Sequence, residues 1–186
     1  FDDEEIAVLE ASHGAAAPET TRTVAGWPAL VRLALVVGHD APVEFLVEEV
    51  AGELDQQTRD ALTVAVLARR ADAALFREVL DEFEAGGDGV ALAARVPLVG
   101  VDDTGAVIPH DLWADAIDAI STPERRARIA SHVSQWHRRA DRVHDAIEVA
   151  LRAGNHGDGL QALRRGLSQG DGDLPVTRID RWRALF

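Results

Sequence analysis

Apolar residues along this chain recur mostly at helical spacing, interrupted at one place by two short β-prone runs. Phe45, Leu46, Val50 and Leu54 lie on one side of a segment whose other side carries Glu48 and Glu49, which predicts an amphipathic helix opened by Pro42. Asp55 restarts the chain into a helix over 59–70 that carries Leu62, Val64, Val66 and Leu67. A third helix is expected over 72–84, with Leu75, Val79 and Phe83 spaced by four and Phe76 and Leu80 beside them. Gly86-Gly87-Asp88-Gly89 ends it, and a short turn of helix follows over 90–95. Val96–Val101 and Ala106–Ile108 flank Asp102-Asp103-Thr104-Gly105, whose chemistry suits a tight reversal between antiparallel strands. Pro109 closes the second strand. Beyond it, Leu112, Trp113, Ala116, Ile117 and Ile120 predict one helix that opens at His110-Asp111.

The remainder reads as four helices turning over at glycine breaks, which suggests antiparallel pairs. Thr122-Pro123 caps the first, with Ile129, Val133 and Trp136 on its inner face. Val143, Ala146, Ile147, Ala150 and Leu151 line the second, and Gly154-Asn155 ends it. Leu160, Leu163 and Leu167 line the third, and Ile179, Trp182, Leu185 and Phe186 the last. Upstream of residue 41 the reading is also helical. Gly26-Trp27-Pro28 breaks the chain there before an apolar segment over 29–37. The fold class is therefore mainly α. An isolated hairpin is only marginally stable and must lean on helices. Three helices followed by a two-stranded wing is the winged-helix arrangement.

Several stretches carry a resemblance to a known family. Gly26-Trp27-Pro28-Ala29, the wing followed at once by His110-Asp111, and Asp145-Ala-Ile-Glu-Val-Ala-Leu-Arg-Ala-Gly-Asn155 together resemble the STAND-type LuxR-family transcriptional regulators of the maltose-activator kind. The resemblance implies three parts. Residues 1–41 would end the helical lid of a nucleotide-binding domain, 42–121 form a winged-helix domain, and 122–186 open a TPR-like superhelix. It also implies two nucleotide contacts, Pro28 against the adenine and His110 toward phosphate. A rigid apolar ring at a helix start suits the face of a purine, although Gly-x-Pro is also ordinary punctuation before a helix. An imidazole at a helix start adds a donor to unsatisfied backbone N–H groups. Such a charge-assisted hydrogen bond is worth about 1.5–3 kcal/mol, enough to shift a closed/open equilibrium roughly 10- to 100-fold. Asp111, an acid in the first turn, is expected to cap the helix.

Composition narrows these readings. The chain has 186 residues, 47% of them apolar, which is enough for one large or two small domains. It has no cysteine, and all 19 of its basic residues are arginine. Without lysine there is no phosphate-cradling Gly-x-x-x-x-Gly-Lys loop, so this chain is expected to be no enzyme, with no catalytic residue and no metal site. On the resemblance, ADP or ATP belongs to a longer protein whose P-loop precedes Phe1, and none is expected on this piece alone. The partner it implies is that upstream nucleotide core, with an inducer or protein on the helical repeats. A net charge of −13 opposes nucleic acid. The third helix, with Asp72, Glu78, Asp81, Glu82 and Glu84 against Arg77 alone, would be repelled by the major groove. No apolar run reaches membrane length, and a cytoplasmic location is expected. His132, His137 and His144 sit among arginines without zinc-site spacing and are expected at the surface. Two rivals remain: a helical protein-interaction scaffold that binds no nucleotide, and a winged helix that binds DNA. A different output domain, such as a cyclase, is a third possibility.

Overall fold

The computed structural model describes residues 41–83 and 87–168; Pro28, the lid expected over 1–41 save its last residue, and the helix expected around Trp182 lie outside them. The described chain is mainly helical with one two-stranded antiparallel sheet. It opens with a short α1 (Ala41–Phe45), which widens into a π turn over Leu46–Val50 and tightens into a 3₁₀ turn over Ala51–Glu53. The single amphipathic helix expected here is thus broken. The wider turn lets Leu46 and Ala51, five residues apart, both reach the buried side.

Asp55 accepts a hydrogen bond from the Thr58 N–H at 2.8 Å and caps α2 (Gln56–Ala68). This helix is buried on nearly every side, Asp60 and Thr63 included, and forms the central post. Arg69 ends it in the left-handed conformation. Asp72 caps α3 (Ala73–Asp81) through the Leu75 N–H at 2.9 Å, and Asp88 caps α4 (Gly89–Ala93). Gly89 meets Phe76 so closely that an added Cβ would lie 2.7 Å from its side chain. Only glycine lets α4 approach α3 there.

The expected antiparallel hairpin is present but its first strand is shorter, β1 (Val99–Val101) against β2 (Val107–Pro109), because Leu98 takes a positive φ; Val99 lies opposite Pro109 and Val101 opposite Val107. Its turn is built on Asp102. One carboxylate oxygen accepts from the Thr104 hydroxyl and from the Thr104 and Ala106 N–H groups, and the other from Arg70. These donors, the Thr104 hydroxyl foremost, hold the Asp102 carboxyl well below the usual range. Gly105, with φ +79°, completes the reversal. A feature with no sequence signal ties the hairpin down: Ala71, between α2 and α3, exchanges two backbone hydrogen bonds with Val107, at 2.8 and 3.0 Å.

The helix expected to run on from His110 is in fact two, α5 (Leu112–Asp115) and α6 (Ile117–Ile120), broken at Ala116. The expected face still holds, with Leu112, Trp113, Ala116 and Ile120 buried. Trp113 donates its indole N–H to the Pro97 carbonyl at 2.8 Å, which anchors α5 to the start of the hairpin.

Thr122 and Pro123 begin α7 (Pro123–Arg139), followed by α8 (Val143–Arg152) and α9 (His156–Ser168). Connections of three residues between helices packed side by side require reversals, so α7, α8 and α9 fold back on one another. Gly154, with φ +70°, stops α8, and the Asn155 N–H returns to the Ala150 carbonyl at 2.8 Å. Ile129, Ala130 and Val133 of α7 and Val149 of α8 share one apolar core with α2, α3 and α4. The predicted inner face of α9 is corrected at Leu160, which is 44% exposed. Gly159 faces α8 instead, its backbone close against Leu151, and Leu163 packs on the core under α8.

Candidate functional site

Where α2 ends and the hairpin returns, the chain leaves a cavity of about 440 Å³, within the size range of small-ligand pockets. Val66, Leu67 and Arg69 line it from the end of α2, Ile108, Pro109, His110 and Asp111 from the end of the hairpin, Ala114 and Ile117 from α5 and α6, and Arg152 from the last turn of α8. Part of this lining is apolar. Its charged groups are the Arg69 and Arg152 guanidiniums and the Asp111 carboxylate, with Glu148 paired to Arg152.

His110 is held at three points. Its N–H donates to the Leu98 carbonyl at 2.9 Å, its carbonyl accepts from the Trp113 N–H at 3.0 Å, and its ring Nδ1 accepts from the Leu112 N–H at 3.2 Å. The ring therefore caps the helix itself. Asp111, expected to do so, makes no capping hydrogen bond and is exposed. The substitution has a physical reason: Asp111 already has helical backbone angles, which leave its short side chain unable to fold back over the N–H groups. With the Nδ1 lone pair engaged, the neutral ring carries its proton on Nε2 and keeps one N–H donor. Burial pushes the His110 pKa below its ordinary value, against the opposing charge of Asp111. At neutral pH the ring is thus an uncharged donor, and positive charge in the cavity comes from Arg69 and Arg152.

Neither arginine was singled out by sequence pattern. Arg69 stands one residue past α2 with φ +59°, a conformation uncommon for a non-glycine residue, and is exposed. Arg152 lies within the Asp145–Asn155 stretch, where only its helical register was readable. It pairs with Glu148 one turn earlier, and both side chains are 21% exposed. Pro28, the other expected contact, lies outside the described residues.

The other histidines depart from the expected surface placement. His137 is 3% exposed, its edge against Trp136 and its Nδ1 3.9 Å from Asp145 Oδ2. His132 meets Phe83 edge to face, and His144 is partly buried. The neighbouring arginines are turned elsewhere: Arg139 pairs with Glu78 of α3, Arg138 donates to Gln161 of α9, and Arg142 lies over the Trp136 ring at 4.7 Å. Among the described residues no cluster of histidine and carboxylate side chains is arranged to hold a metal ion. None of the described helices is long and apolar enough to cross a membrane.

No protein-family model, curated protein sequence or solved structure matches this chain.

Proposed function

We propose that this chain is the regulatory part of an ATP/ADP-sensing transcriptional regulator of the STAND LuxR kind. In that reading residues 42–121 act as a winged helix and 122–186 open a TPR-like repeat region. One observation carries it: His110, the phosphate contact that the resemblance implies, lines a ligand-sized cavity with one ring N–H to offer, beside Arg69 and Arg152. A phosphate suits that set, because guanidiniums supply charge and forked donors while a neutral imidazole adds a directional hydrogen bond. The nucleotide core would lie in the same protein, in the cytoplasm, and its ADP would bridge Pro28 and His110 to hold the molecule shut. An inducer or protein on the helical pairs, together with ATP exchange, would open it. This chain performs no hydrolysis in the scheme.

The test is His110→Ala in the longer protein in which this reading places the chain. ADP retention is expected to weaken roughly 10- to 100-fold, the worth of one charge-assisted hydrogen bond, and basal transcription to rise. Unchanged ADP affinity sinks the proposal. A helical interaction scaffold is the second reading, favoured by the exposed Val101 and Ile108 on the hairpin. DNA binding through α3 is disfavoured, since α3 is acidic and its Glu78 is engaged with Arg139 of α7.

A further inference from the structure

The cavity is not closed by the hairpin region alone. Arg152 comes from α8, more than 40 residues after His110 in sequence, and it reaches the cavity while paired with a carboxylate of its own helix. Glu148 and Arg152 are one turn apart on α8, an acid followed by a base at the spacing that brings helical side chains together. Each remains partly open to solvent. An arginine fork on a phosphate is among the stronger polar contacts.

We propose that Arg152 is a positioning residue that exchanges Glu148 for the phosphate of the bound ligand, so that Glu148 acts as a built-in competitor for the site. The inference rests on the reading that this cavity takes a phosphate. It adds that occupancy is reported directly to α8. When the cavity is empty, Arg152 stays on Glu148 along the helix surface. When phosphate enters, the guanidinium swings to it and Glu148 loses that ion pair. Position in the fold gives the exchange a consequence. α8 packs between α7 and α9, so the helix that would lead into the repeat region senses the ligand without an intervening relay. Arg69, which also lines the cavity, is in no ion pair among the described residues and serves as the constant guanidinium of the set.

Opposite effects are expected from the two members of the pair, and that is what separates exchange from a structural role. The 186-residue chain supplies one side of a nucleotide site, so the probe is inorganic pyrophosphate at constant ionic strength. The readout is the His110 imidazole resonance followed by NMR. Arg152→Ala is expected to weaken pyrophosphate binding roughly 10- to 100-fold, and Arg152→Lys, which keeps charge but loses the fork, by less. Glu148→Gln removes the competitor and is expected to tighten binding about 2- to 5-fold. If pyrophosphate leaves His110 unmoved, the phosphate reading and the exchange both fail. If it binds but Glu148→Gln leaves affinity unchanged or lowers it, the exchange alone is overturned. Should Arg152→Ala not fold, the Glu148→Gln result still decides.

Discussion

His137 is sealed within the α7–α8 joint, and neither ring nitrogen has a hydrogen-bond partner among the described residues. Desolvation pushes its pKa down, opposed by Asp145 and more weakly by Asp72 and reinforced by Arg142. Protonation is therefore easier in the unfolded chain, whose imidazole titrates near about 6.5. The sign follows: the unfolded state binds the extra proton, so this residue costs stability as pH falls below that value and nothing above it. His110 acts in the same direction. His137→Phe is expected to reduce the loss of urea midpoint between pH 7.5 and 5.5 relative to the unsubstituted chain. An NMR titration placing the His137 pKa at or above 6.5 would show the argument to be wrong. The same residue scale explains why Asp111 and His110 traded the capping role. Capping depends on backbone angles that one-dimensional spacing does not carry.

Between elements, the contact with the most at stake joins α2 to α7. Asp60, on the buried post, is 1% exposed and receives two hydrogen bonds at 2.6 Å from the Arg125 guanidinium, with a third from Gln56 at 2.9 Å. The Asp60 carboxylate holds the Arg125 pKa up. Arg125→Ala leaves a buried carboxylate uncompensated and is expected to cost about 2 to 4 kcal/mol by urea denaturation. Arg139→Ala, which breaks the exposed pair with Glu78, should cost under about 1 kcal/mol. Equal costs for the two would refute the assignment of Asp60–Arg125 as the clamp. Gly89→Ala tests the α3–α4 approach: a methyl 2.7 Å from Phe76 forces the helices apart, at about 1 to 3 kcal/mol. A substitution there without thermal destabilisation would mean that α4 shifts freely.

The whole molecule carries 32 acidic and 19 basic residues, and two of its arginines, Arg69 and Arg152, line the cavity. The field outside is repulsive to nucleic acid at long range and is screened within about 8 Å at physiological salt. No electrophoretic shift of duplex DNA is expected at 150 mM salt. A shift that persists at that ionic strength would restore DNA binding by the helix–hairpin region. The helices that follow residue 121 share the core of those before it, through Ile129, Ala130, Val133 and Val149.

Local chemistry was enough for much of this molecule. Asp55 and Thr122 announce their helices because a short acceptor side chain satisfies nearby N–H groups, and Asp102 to Gly105 announces the hairpin because the reversal needs that geometry. The alternation of buried faces follows from the same periodicity, whereas His110 stands out only through the resemblance of His110-Asp111 to a family motif. Everything that depends on residues distant in sequence was left to the tertiary structure. Only folding could set Ala71 beside Val107, bury His137, turn Leu160 outward, join Asp60 to Arg125 across 65 positions, and bring Arg69 and Arg152 to the cavity of His110. Spacing along a chain specifies which side of an element is apolar; which other element covers that side is a packing outcome, decided by the shape and charge of the partners it meets.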